Sequence, residues 1–340
     1  MPISTATTFE IVCYTSPSSF PSSLWEAMEA NQLNSNIILP HAQKCLKAEK
    51  RGEDIGNQTW IVCSTRSSID FVLACTEGGL GTYPIFIFAT SPVDELYNPS
   101  FVNPRIKDLA LQLSTQVPKS RVFSIFAPES ITYSFAEAWS NLTGVQLAKK
   151  PVYYHATFTY CTRRSVFPPR SMTVMPGLAF RLRLAEPRDI PHVAPLSQQF
   201  SATSPPFVLS AEAALLETEA LIRDRQLWVH EVRENGGEPE IASIVASTRT
   251  SEKVAGITKV YTNPLWRKKG CAERLVRMVT RELLKTKERV VLYVGLGNSA
   301  ANVYARVGFA GLKDTTIPVE GVDTWLELGF DTDVVELGHW

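Results

Sequence analysis

The sequence is short of several features that commonly announce a function. Charge of neither sign is in surplus, with 34 Lys and Arg against 34 Asp and Glu. No global field therefore draws nucleic acid or an acidic membrane surface, and any anion site must be local. No apolar run approaches the roughly 18 residues that a membrane-spanning helix needs. The opening stretch, MPISTATTFEIVCYTS, has neither a basic start nor a long apolar core, so no secretory signal is read there and a cytoplasmic location is expected. The 6 cysteines are scattered through apolar stretches, with no CxxC pair and no close cysteine–histidine cluster. That pattern predicts buried free thiols in a reducing compartment and no metal centre. Neither GxxxxGK[ST] nor GxGxxG occurs, which excludes a Walker nucleotide loop and the dinucleotide fingerprint.

What is present is ordinary globular composition, 44% apolar and 20% charged over 340 residues. Beyond roughly 250 residues a single core usually stops growing, so two domains are expected. In the second half, strands are predicted at 181–186, 227–232, 241–248, 254–262 and 289–294, with two more at 310–313 and 323–328. Helices are predicted at 190–199, 209–223, 269–286 and 299–306. The first half repeats the order. Its strands are predicted at 9–14, 59–65, 70–76, 83–89, 121–126 and 152–160, and its helices at 22–28, 39–49, 103–115 and 131–140. RVFSIFAPESITYSFAEAWSNLTG and RVVLYVGLGNSAANVYARVGFAG are each a strand, a short loop, a helix with an aromatic, and a glycine exit. The fold class is α/β with a mixed sheet, built twice. The boundaries read as 1–165, a proline-rich linker at 166–177, and 178–340, the last expected to fold by itself.

The stretch KVYTNPLWRKKGCAERLVRMV holds the strongest local signal. A β-prone run gives way to an Asn-Pro turn, three cations, a glycine and a helix. Ala272, Leu275, Val276, Val279 and Leu283 form one apolar face, while Arg274, Arg277, Arg281 and Lys285 read as solvated. The first amides of the helix lack intrahelical partners and its dipole is positive there, so a phosphate suits the place. Gly270 and Ala272 admit close approach, and Arg267, Lys268 and Lys269 add charge. A solvated basic cap on a surface helix accounts for the same residues.

Arg267-Lys-Lys-Gly270-Cys-Ala272 resembles the R/Q-x-x-G-x-G/A signature of the GNAT superfamily of acyl-CoA-dependent N-acyltransferases. Asn298-Ser-Ala-Ala-Asn302-Val-Tyr304, followed by Gly308-Phe309, is similar to that family's second signature. The resemblance covers roughly 180–340. It implies a GNAT fold in which coenzyme A lies between two parallel strands that splay apart. It implies that Val260, Tyr261 and Thr262 run beside the pantetheine, with the Val260 backbone at the thioester carbonyl. Amides from Lys268 to Ala272, Cys271 included, would hold the pyrophosphate, and Asn298 and Asn302 would contact the pantetheine or orient their loop. Tyr304 would act as general acid toward the departing thiolate. Cys271 is expected to be a packed thiol whose place at the helix start lowers its pKa.

The resemblance thus implies acetyl transfer from acetyl-CoA to a primary amine of a small molecule or amino-acid-like acceptor, by direct attack, in a cytoplasmic monomer or homodimer. A base is less legible. Glu231 is the speculative candidate, and Glu234, His230, His192 and His339 are weaker ones. Over 1–165 only the element order matches. No glycine signature follows strand 83–89, and Trp139 stands where Tyr304 stands later, so this half reads as a degenerate GNAT-like domain. The alternative reading of the whole is a non-catalytic module that binds coenzyme A or a protein.

Overall fold

The computed structural model describes residues 8–168, 177–313 and 317–339; most of the expected linker, and Trp340, lie outside them. The chain divides into two compact units, Met1–His155 with Asp323–Trp340, and Ala156–Val322.

In the second unit the sheet order is Leu178–Leu184, Leu227–Glu234, Glu240–Thr250, Val254–Thr262, Arg289–Gly295 and the end of strand Leu147–Thr162. Neighbours are antiparallel except Val254–Thr262 with Arg289–Gly295, which are parallel. A parallel pair needs a crossover, and helix Cys271–Leu283 supplies it. Both faces of the sheet are covered, so its central strands are apolar on successive residues rather than on alternate ones. One face carries Leu275, Val276 and Val279 of that helix, with Tyr304 and Val307 of helix Ala300–Val307, over Val245, Ile257 and Leu292. On the other, Val193 and Leu196 of helix Ile190–Ser201 and Leu221 and Ile222 of helix Ala211–Arg223 cover Val229, Ile244 and Ala246.

The first unit has strands Phe9–Tyr14, Thr59–Thr65, Ser68–Cys75, Ile85–Ala89, Ser124–Pro128 and Asp323–Phe330 in that order. The pairing senses repeat: three antiparallel steps, a parallel step, then an antiparallel one. The fold is therefore duplicated, and each unit takes its last strand from the other half of the sequence. Asp323–Phe330 pairs with Ser124–Pro128, as in Trp325 with Pro128. Ala156–Thr162 pairs with Arg289–Gly295, from Ala156 with Gly295 to Thr162 with Arg289. The compact units thus differ from the expected 1–165 and 178–340, because strand pairing follows the sheet and not the sequence midpoint.

A strand expected at 310–313 is a turn instead. Gly308 and Gly311 have φ of 119° and 67°, and Ala310 N donates to Tyr160 O at 2.9 Å. A Cβ on Gly308 would sit 2.0 Å from the Ser165 carbonyl oxygen, so only glycine fits this close approach. All 6 cysteines are free thiols, and every one except Cys13 is buried.

Excision should expose the exchange. Residues 178–340 made alone lack the strand that edges Arg289–Gly295, and should give no cooperative thermal transition by circular dichroism. Residues 156–322 should melt cooperatively. A cooperative transition in 178–340 equal to that of 156–322 would show the exchanged strand to be dispensable.

Candidate functional site

The parallel ladder between Val254–Thr262 and Arg289–Gly295 holds for three pairs, Val254–Arg289, Ala255–Val290 and Gly256–Val291, and then stops. Each strand stays laddered on its outer side, to Glu240–Thr250 and to Ala156–Thr162. A register shift coincides with the parting: Lys259 pairs with Ala246 and Ile257 with Ser247, so Thr258 is the extra residue. Such bulges bend a strand and increase its twist. Beyond Gly256 the chain from Ile257 to Thr262 is laddered on one side only among the described residues. Val260 turns toward the face carrying Tyr304, and Tyr261 toward helix Ile190–Ser201.

After Thr262 the chain makes the short 3-10 turn Pro264–Trp266, capped by the Asn263 side chain on Leu265 N at 3.1 Å. Lys268 then takes φ 61° and Gly270 φ 74°, both left-handed, before helix Cys271–Leu283 begins. Gly270 is the N-cap and offers no side chain to the first amides, which keeps them available. Arg267, Lys268 and Lys269 are exposed. Arg267 Nη2 lies 3.2 Å from the Tyr261 hydroxyl, and Lys269 Nζ sits 4.2 Å from the Trp266 ring centre.

Two of the arginines expected in solvent are buried. Arg274 is 8% exposed and donates to Lys269 O at 2.9 Å. Arg277 is 6% exposed and donates to Glu273 at 2.6 Å and to Arg306 O at 3.1 Å. Their guanidiniums reach backbone carbonyls at helix ends and loops, partners that helical periodicity does not reveal. Cys271 also departs from expectation. It packs with Val232, Ala242 and Trp266, and burial pushes its thiol up, against the smaller opposing pull of Arg274 and Lys269.

In the second signature, Asn298 Oδ1 accepts from Ala300 N at 2.9 Å, so its side chain shapes the loop that starts helix Ala300–Val307. Asn302 is exposed. Tyr304 is 7% exposed, edge-on to Phe309 at 5.9 Å, in the cluster against which Val260 packs.

The candidate bases separate. Glu231 is held by Arg183 at 2.5 Å, and Arg183 also binds Asp189 at 2.6 Å, so its carboxylate is committed. His230 is wholly buried, its Nδ1 3.2 Å from Cys271 O. Burial, helped by Arg274, lowers its pKa to about 4, so the ring is neutral near pH 7. His192 and Glu234 are exposed. His339 belongs to the first unit, where its amide donates to Thr82 O. A pair that sequence reasoning passed over is Lys259 with Glu217, buried against Phe200. Burial pulls the Lys259 pKa down while Glu217 pulls it up. Its only sequence signal is a lysine inside the apolar run VAGITKVYT.

The matching place in the first unit is built differently. Ile85–Ala89 and Ser124–Pro128 pair through two residues. The helix that follows, Pro99–Gln116, is capped by Asn98 Oδ1 on Ser100 N at 3.1 Å, and its first residue is a proline without an N–H. Trp139 is fully buried and stacks on Phe135 at 6.0 Å. Among the described residues no group of three or more His, Cys, Asp or Glu is placed to hold a metal, and no helix is long and apolar enough to cross a membrane.

His230 makes the second unit acid-sensitive. Its folded pKa lies below the ordinary 6.5, so the unfolded chain binds the proton more readily. Its contribution is fully present above about pH 6.5 and is lost as pH falls toward about 4, by up to roughly 3 kcal/mol. Urea midpoints measured across that window should fall more steeply for the wild type than for His230→Gln. Parallel slopes would show that His230 does not titrate on unfolding.

Residues 239–317 match the FR47-like protein family, a segment lying wholly in the second unit. No curated relative matches the chain in sequence. Among solved structures, a GCN5-related N-acetyltransferase from Sphaerobacter thermophilus is similar over 94% of each chain, at 14% identity and a TM-score of 0.52. A Drosophila protein solved as a structural-genomics target is similar over 94% of this chain and 98% of its own, at 10% identity and a TM-score of 0.60. At such identities the likeness speaks for the fold. The chain has the fold of the GNAT superfamily, built twice, with an FR47-like segment in its second unit.

Proposed function

We propose that the second unit is an acyl-CoA-dependent N-acyltransferase that moves an acetyl group from acetyl-CoA to a primary amine of a small, amino-acid-like acceptor. The observation that carries this reading is the parallel pair that parts after Gly256 beside a side-chain-free helix start at Gly270. The two features give an extended donor a slot for its arm and an anchor for its charge. The residues present fit such a donor: the slot is edged by a one-sided strand, and the amides from Lys268 to Ala272 sit among three exposed cations. When bound, acetyl-CoA supplies an activated thioester.

In this reading the chain's own groups do the following. The loop amides hold the diphosphate. The backbone of Val260, Tyr261 and Thr262 lines the arm, and the Val260 amide polarises the thioester carbonyl as charge develops on its oxygen. Tyr304 gives its phenolic proton to the departing sulfur. The proton of the attacking amine passes to water, since Glu231 is engaged by Arg183. Cys271, buried and with its thiol pushed up, is not a nucleophile. The first unit, with a self-capped helix and Trp139 in place of Tyr304, has a structural or acceptor-binding role.

Calorimetry with acetyl-CoA, followed by a thiol-release assay over a panel of amines, tests the reading. Binding with turnover on at least one amine is expected; no binding would overturn it. Two variants sharpen the test. Gly270→Glu should abolish acetyl-CoA binding through charge, bulk and a strained positive φ, with an unchanged circular dichroism spectrum; undiminished affinity would move the anion site elsewhere. Tyr304→Phe should keep donor affinity and melting temperature but lower kcat by about 10²-fold. Equal kcat in the two proteins would leave Tyr304 as packing.

A further inference from the structure

The anion loop has an underside. Arg274 Nη1 donates to the Lys269 carbonyl at 2.9 Å, and His230 Nδ1 lies 3.2 Å from the Cys271 carbonyl. A carbonyl can only accept, so His230 carries its proton on Nδ1. Both side chains are buried, at 8% and 0% exposure. Phe180 ties them together: its ring meets His230 at 5.3 Å, and the Arg274 guanidinium lies 5.3 Å from its centre.

Peptide planarity gives these contacts a direction. In a trans peptide the C=O of one residue and the N–H of the next point opposite ways. A Lys269 carbonyl held by a buried arginine turns the Gly270 amide outward. The Cys271 carbonyl already accepts within the helix, and His230 adds a second donor that secures the same direction for the Ala272 amide. The placement of Arg274 is otherwise costly. A cation in the first turn opposes the helix dipole, and a buried one is partly desolvated. An anion bound on the other side of the loop offsets both terms.

We propose that Arg274 and His230 are positioning residues of the anion loop, which hold the Lys269 and Cys271 carbonyls inward so that the Gly270 and Ala272 amides face the diphosphate of an acyl-CoA. The proposal rests on the function proposed above and goes further, since it assigns diphosphate recognition to two residues outside the R-K-K-G-C-A stretch. It also ranks the charges: the buried Arg274 matters more to affinity than the exposed Arg267, Lys268 and Lys269.

The test measures, on the full chain, the affinity for coenzyme A by calorimetry and for pantetheine, which lacks the diphosphate and nucleotide, by NMR titration. The wild type should prefer coenzyme A. In Arg274→Met and in His230→Leu that preference should fall about tenfold, the order expected when a hydrogen bond in the site is lost. Arg274→Lys and His230→Gln, which keep an N–H donor, should recover part of it and keep the readout valid if either truncation fails to fold. A preference that survives in the folded variants, or affinity for both ligands lost in equal proportion, would reduce the pair to a structural role and leave the proposed function standing. A wild type without preference for coenzyme A would overturn both.

Discussion

A parallel ladder that stops after three pairs, at Gly256 and Val291, sets the position of everything else in the second unit. Sheets ordinarily satisfy their backbone groups by pairing to the end, and a buried unpaired amide is costly. Here the two strands part while each remains secured on its outer side, so the opening is held by the sheet and does not depend on a mobile loop. The crossover helix between them must start at the open end, and its first amides therefore lie beside the slot. The extra residue at Thr258 bends the strand there and leaves Val260 and Tyr261 facing opposite covers of the sheet.

Much of this was legible because it is local. The run from Val254 to Thr262, the Asn-Pro turn, Gly270 and the apolar stripe of the following helix are short-range patterns, and the structure has each of them. What was not legible depends on partners far away in the chain. Arg274 and Arg277 read as solvated because their helical positions border the apolar stripe; only the fold brings the Phe180 ring over Arg274 and the Phe167 carbonyl, 110 residues away, to Arg277. Glu231 stood free in the sequence, but Arg183 lies 48 residues before it, in the adjacent strand. The turn at Ala310 was read as a strand because its apolar residues outweighed the glycines on either side. The strand exchange is the deepest miss, since nothing in the composition of Asp323–Phe330 says which sheet it completes.

The two units show how little change separates a cradle from a closed helix start. Both have a parallel pair, a crossover helix and a second helix with an aromatic on its inner side. In the second unit the helix begins at a left-handed glycine with nothing to cap it; in the first, Asn98 and Pro99 satisfy or remove the same amides. In its second helix the second unit has the phenol of Tyr304, edge-on to Phe309, and the first has the indole of Trp139, stacked on Phe135. The common fold therefore carries no chemistry by itself. A few residues at strand and helix ends decide which copy leaves the first amides of its helix open.

The exchanged strands also impose an order on biosynthesis. A ribosome delivers the chain from its N-terminus, and domains generally fold as they emerge. The first unit cannot do so fully, because the strand that edges Ser124–Pro128 is Asp323–Phe330, made only after the whole of the second unit. Until that strand is made, the nascent first unit lacks the partner of Ser124–Pro128 and presents a bare sheet edge, the kind of surface that invites wrong pairing. The second unit has its borrowed strand, Ala156–Thr162, in hand before its own sheet begins, and can close first. Maturation thus runs against the direction of synthesis, and the earlier half of this protein is the later one to finish.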